Sequence, residues 1–74
     1  MYKGPKGLII KNDKTPGGWK IQNMQDVETA LYSFPVFQTV YSGFLMEAVA
    51  QAIQERKEYS NITELAEYIA ANYI

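Results

Sequence analysis

The chain contains no cysteine and no histidine. The first absence removes disulfides, thiolate nucleophiles and the soft ligands of structural zinc. The second removes the side chain that ordinarily titrates near neutral pH, and with it most nucleophile and base pairs. Ser33, Ser42 and Ser60 therefore have no imidazole to activate them, and a Ser–Lys pair would need Lys57 or an N-terminal lysine buried beside one of them. Glu47, Glu55, Glu58, Glu64 and Glu67 fall on the outer faces of expected helices, without the Asp-rich loop of a calcium site. Gly4, Gly7, Gly17 and Gly18 make no phosphate loop, because no Gly-Lys-Ser/Thr opens a helix. The expectation is a non-enzymatic protein with no cofactor and no metal. Long apolar runs are also missing. Met1-Tyr2-Lys3-Gly4-Pro5 lacks the apolar stretch of a signal peptide and no segment approaches a membrane span, so a cytoplasmic location with no membrane partner is expected.

What is present is apolar and aromatic material in quantity. The 74 residues are 47% hydrophobic and include six Tyr, three Phe and one Trp. A chain of this length forms one domain, near the lower size limit at which a single core offsets conformational entropy. So small a core cannot hide every ring, and some aromatic surface should remain at a partner site or a self-association seam. Charge is unevenly spread. Residues 1–20 carry Lys3, Lys6, Lys11, Lys14 and Lys20 against Asp13 alone, whereas the remainder carries seven acids against Arg56 and Lys57. This dipolar layout suits docking between copies or onto a partner with patches of both signs better than it suits polyanion binding.

Along the chain, Gly4-Pro5-Lys6-Gly7 is turn chemistry and Leu8-Ile9-Ile10 reads as a strand. Asn12 to Gly18 is a loop, in which the Gly pair admits positive φ. Trp19-Lys20-Ile21-Gln22 alternates with period two and reads as the return strand, its Trp19 and Ile21 packing on the downstream part of the chain. Asn23 is placed to cap a short helix, with Asp26 in its first turn and Val27, Ala30, Leu31 and Phe34 at helical spacing, until Pro35 ends it. Val36 to Tyr41 is β-branched and aromatic and compatible with a strand. The spacing of Phe37, Val40, Tyr41, Phe44, Leu45, Ala48, Val49, Ala52 and Ile53 favours one long helix from Pro35, with Gly43 inside it. Asn61-Ile62-Thr63-Glu64 is a capping box opening a last helix with the stripe Ile62, Leu65, Ala66, Ile69 and Tyr73. The fold class expected is α+β: an N-terminal basic β-hairpin over residues 1–23, packed on three helices (short, long and terminal) within residues 24–74.

Several motifs have a plain structural reading. Asn61-Ile62-Thr63 matches a glycosylation acceptor and is assigned as the helix cap. Thr63 to Ile69 resembles the first helix of a helix-turn-helix, but no recognition helix comes after it, so core packing is assigned. The aromatic band is more informative. Tyrosine offers large contact area, little side-chain entropy and a polar tip, which enriches it at interfaces. Core packing is expected to consume Phe34, Phe37 and Phe44 first, while Tyr32, Tyr41, Phe44, Tyr59, Tyr68 and Trp19 are the candidates for a protein-binding face. Gln38 followed by Tyr41 and Phe44 resembles the glutamine-plus-aromatic peptides that dock on replication sliding clamps, which points to one kind of target. The expected function is a small module, a regulator or inhibitor, that occludes a site on a larger protein. Proteins with which phages block host replication or transcription are of this size and class. A homodimer is also expected. The alternative is a nucleic-acid-binding regulator using Lys6, Lys11, Lys14 and Lys20 on the hairpin with an aromatic platform.

Overall fold

The computed structural model describes residues 1–74 and shows an α+β arrangement in which a small three-stranded mixed sheet packs with three helices. The strands are β1 (Tyr2–Lys3), β2 (Ile9–Ile10) and β3 (Glu58–Tyr59), and the helices are α1 (Met24–Tyr32), α2 (Ser42–Glu55) and α3 (Ile62–Tyr73).

Strand β2 is central. It pairs antiparallel with β1, Tyr2 opposite Ile10, and parallel with β3, Ile10 opposite Tyr59. The β1–β2 hairpin turns through Gly4-Pro5-Lys6-Gly7, where Gly4 N–H donates to Leu8 C=O at 2.9 Å. Lys6 (φ 59°) and Gly7 (φ 88°) both occupy the left-handed region. The proline presets the first bend and Gly7 supplies the positive φ at no steric cost, so the turn seen in the sequence is the one that closes the hairpin.

The partner expected for Leu8–Ile10 is Trp19–Gln22, and this pairing does not form. Residues 14–20 instead fold back on themselves. Lys14 bridges Lys20, Thr15 N–H donates to Trp19 C=O at 2.8 Å, and Gly18 N–H to Thr15 C=O at 2.9 Å. Pro16 at the second turn position and Gly18 at φ 92° make a loop too tight to return Trp19 alongside Ile10. Ile21 is buried as expected, whereas Trp19 remains 38% exposed.

Helix α1 begins as its sequence signals. Asn23 Oδ1 accepts from Asp26 N–H at 2.9 Å and the Asp26 carboxylate accepts from Gln22 N–H at 2.8 Å, so both orphan donors are satisfied. Asn61 does the same for α3, accepting from Glu64 N–H at 2.9 Å. The long helix expected from Pro35 is divided. Pro35–Phe37 form a single 3-10 turn, Tyr41 is extended (φ −62°, ψ 137°), and α2 starts at Ser42. Val36, Thr39 and Val40 are poor helix formers. The turn is fixed from outside by Tyr32 Oη donating to Val40 C=O at 2.8 Å, while Phe37 is wholly buried. Gly43 thus lies in the first turn of α2, not in a helix interior.

The core gathers side chains from every element: Tyr2, Leu8 and Ile10 from the sheet region, Ile21, Val27, Ala30 and Leu31 from α1 and its approach, and Phe37. Leu45, Ala48, Val49, Ala52 and Ile53 of α2, Tyr59 of β3, and Ile62, Leu65, Ala66 and Ile69 of α3 complete it. No helix is long and apolar enough to cross a membrane. Tyr59 is fully buried and its hydroxyl makes only a long bond of 3.4 Å to Ala52 C=O. Tyr59→Phe should therefore cost under about 1 kcal/mol, and Tyr59→Ala about 3–5 kcal/mol by emptying an aromatic site in the core. Urea unfolding of the two variants measures both, and equal losses would contradict this placement.

Candidate functional site

Helix α2 turns Leu45, Ala48, Val49, Ala52 and Ile53 inward. The positions beside that stripe, Phe44, Glu47, Gln51 and Glu55, recur at spacings of three and four and so share an adjacent face. The last turn of α3 lies along this face. Phe44, Glu47, Ala48 and Gln51 of α2 and Tyr73 of α3 enclose a groove of about 100 Å³. Phe44 is 56% exposed at its rim, and Tyr41, one turn before it, is 80% exposed. The Tyr41 ring lies across Gly43, where a Cβ would stand 3.0 Å from the ring edge, so the glycine makes room for that ring.

At the far end of the groove two phenols converge on one carboxylate. Tyr68 Oη donates to Glu55 at 2.8 Å. Tyr73 Oη faces the same carboxylate but stands outside hydrogen-bonding geometry, so it is buried without a partner. Attraction to these two hydroxyls, Tyr73 first, holds the Glu55 carboxyl below the ordinary glutamate range. In return the nearby Glu55 carboxylate, then lost hydration, pushes Tyr73 up to about 12. Arg56 stacks 4.8 Å from the Tyr59 ring and 6.0 Å from that of Tyr68, and is paired with Glu64. Tyr59 and Tyr68 meet edge to face at 6.0 Å. No three acidic side chains are grouped so as to hold a metal ion.

The structure separates the six residues proposed for a protein-binding face. Tyr41 and Phe44 stand exposed together, and Phe44, expected to be taken first by the core, is outside it. Tyr68 is half-buried below the groove and Tyr32 is half-buried with its hydroxyl spent on Val40. Tyr59 is removed from the set: β3 turns its ring into the core, so it offers no contact surface. Trp19 lies on the separate 14–20 hairpin against Gly17. Tyr73, Glu47 and Gln51 were not among the candidates, although stepping three, four and seven residues from Phe44 reaches Glu47, Ala48 and Gln51.

The four lysines proposed for nucleic acid are likewise dispersed. Lys11 pairs with Glu58 at 3.0 Å and Lys20 approaches Asp13 at 3.7 Å. Lys6 sits on the β1–β2 turn, and Lys14 lines a polar cleft of about 390 Å³ with Asn12, Thr15, Pro16, Asn61, Ile62 and Thr63. Compared with known proteins, the chain matches no family model, no curated protein and no solved structure.

Because hydrogen bonds to its charged form favour that form, Glu55 should titrate below the ordinary value of about 4.3. Its lowered folded pKa means that the interaction stabilises the fold above that ordinary value and is lost as pH falls through the lower one. An NMR titration of the side-chain carboxyl should show the depression, and Tyr68→Phe with Tyr73→Phe should return Glu55 toward the ordinary value. An unchanged Glu55 in the double variant would contradict the assignment.

Proposed function

We propose that the protein is a non-enzymatic binding module whose α2–α3 face, headed by Tyr41 and Phe44, docks on a larger protein and occludes a site there. The carrying observation is that Tyr41 and Phe44 are 80% and 56% exposed while the core is closed without them. Adjoining exposed aromatic rings gain from desolvation on contact and lose little side-chain entropy, which makes them effective anchors. The groove beside them gives the partner a concave feature to fill. Surrounding charges fix orientation and encounter rate more than affinity. Gln38, Tyr41 and Phe44 are all exposed on one short segment, which supports a groove of the sliding-clamp kind as one target within this reading. Without a partner, two copies cover the same rings by pairing as a homodimer. Lysine pairing with Glu58 and Asp13 leaves the nucleic-acid alternative with fewer free cations, and each paired lysine contributes less to phosphate binding.

The test is affinity capture from the native or host cell with the tagged protein, then quantitative binding to the protein recovered. Tyr41→Ala and Phe44→Ala should each weaken that binding about tenfold or more, as for anchor residues. Both positions are solvent-facing, so their unfolding free energies should stay within about 0.5 kcal/mol of the parent. Recovery of nucleic acid alone, lost steeply with added salt and with Lys11→Ala or Lys20→Ala, would overturn the reading.

A further inference from the structure

Glu47, Gln51 and Glu55 recur every fourth residue, so the two carboxylates stand on one side of α2, roughly 12 Å apart along its axis. Neither forms an ion pair. Arg56, next to Glu55 in the chain, is engaged with Glu64, and no lysine pairs with either carboxylate. No basic side chain lines the groove, whose surfaces beside Glu47 are Phe44, Ala48, Gln51 and Tyr73.

Three kinds of occupant meet this surface differently. An acidic or phosphorylated segment is repelled by Glu47 and Glu55. A wholly apolar segment would strip water from Glu47 and leave it unanswered, which is costly. A guanidinium suits this surface: it lies flat on aromatic faces, is weakly hydrated, and offers several donors to the Glu47 carboxylate, while Glu55 further along the helix adds negative potential. We propose that the groove receives an arginine side chain of the partner protein, presented next to an apolar residue that rests on Phe44 and Tyr41. This deepens the protein-binding reading and rests on it.

The probe is the dipeptide N-acetyl-leucyl-arginine amide, titrated into isotopically labelled protein and monitored by NMR, with the citrulline and glutamate dipeptides as controls. Saturable shifts should centre on Phe44, Glu47, Ala48, Gln51 and Tyr73. Neutral citrulline, Glu47→Gln and Glu55→Gln should each weaken binding about fivefold, the scale of one partly exposed ion pair. Both glutamates are solvent-exposed, and Glu47→Gln carries the test should Glu55→Gln disturb Tyr68. Equal binding of the arginine and citrulline dipeptides, or shifts centred on the Lys14 cleft, would overturn the proposal. So would a concentration-dependent dimer with lysines of a second copy in the groove. A captured partner that is lost with Phe44→Ala but retained by the Glu47→Gln/Glu55→Gln double variant would sink the arginine site and leave the binding reading standing. Failure of the unsubstituted protein to capture any protein would sink the binding reading itself.

Discussion

Backbone hydrogen bonds from Ile9, Lys11 and Asn12 to the carbonyls of Lys57, Tyr59 and Ser60, at 2.7, 2.9 and 2.8 Å, tie the start of the chain to the link between α2 and α3. Nearly everything else in the fold depends on this parallel pairing. It places β3 between two helices that are otherwise joined by a few residues, and it turns Tyr59 into the core. Strands of two residues have no stability of their own, so the sheet persists only because Ile10, Leu8 and Tyr59 are buried by the helices packed on it. The helices in turn share one core, to which α2 contributes only from Leu45 onward. Tyr41, Ser42, Gly43 and Phe44 are all left facing water.

Charge is organised by the same closure. The lysine-rich start of the chain is brought against Glu58 through Lys11, and Asp13 is shared by Lys20 and the terminal amine at 3.7 and 3.1 Å. These exposed pairs add little stability, but they quiet much of the asymmetry visible in the sequence. Among the acids left without an ion pair are two on α2. Glu47 has no cation, and Glu55 has the Tyr68 hydroxyl as its hydrogen-bond partner. The exposed aromatic rings and the unpaired Glu47 thus adjoin on one face, which is the basis for proposing a single partner segment that carries both apolar and cationic groups.

The helices were legible because their signals are local. Asn23 with Asp26 and Asn61 with Glu64 mark starts at the observed residues, and the stripes of α1 and α3 bury as their spacing demands. The sheet was legible only in part. Leu8–Ile10 shows its β-branched character, but Tyr2–Lys3 and Glu58–Tyr59 are too short to display period two, and nothing local announces a parallel pairing across some fifty residues. Trp19–Gln22 alternates as a strand should, yet the tight Pro16–Gly18 turn pairs that segment with Lys14. The break at Val36–Tyr41 was visible as an ambiguity, and the hydroxyl of Tyr32, a tertiary contact, decides it. For the candidate face, the surplus of rings foretold that some would remain outside. Which ones did depended on where the core closes: Tyr59 was drawn in by β3, Phe44 was left out, and Tyr73 joined the groove from the far end of the chain.

The central claim is that Phe44 marks the contact face. A photo-crosslinking benzoyl-phenylalanine placed at Phe44, compared in the native or host cell with the same group at exposed Thr29 on α1, tests it directly. A discrete protein adduct formed from position 44, absent from position 29 and suppressed by Glu47→Gln, is the expected result. Identical adducts from both positions, or adducts to nucleic acid alone, would contradict it.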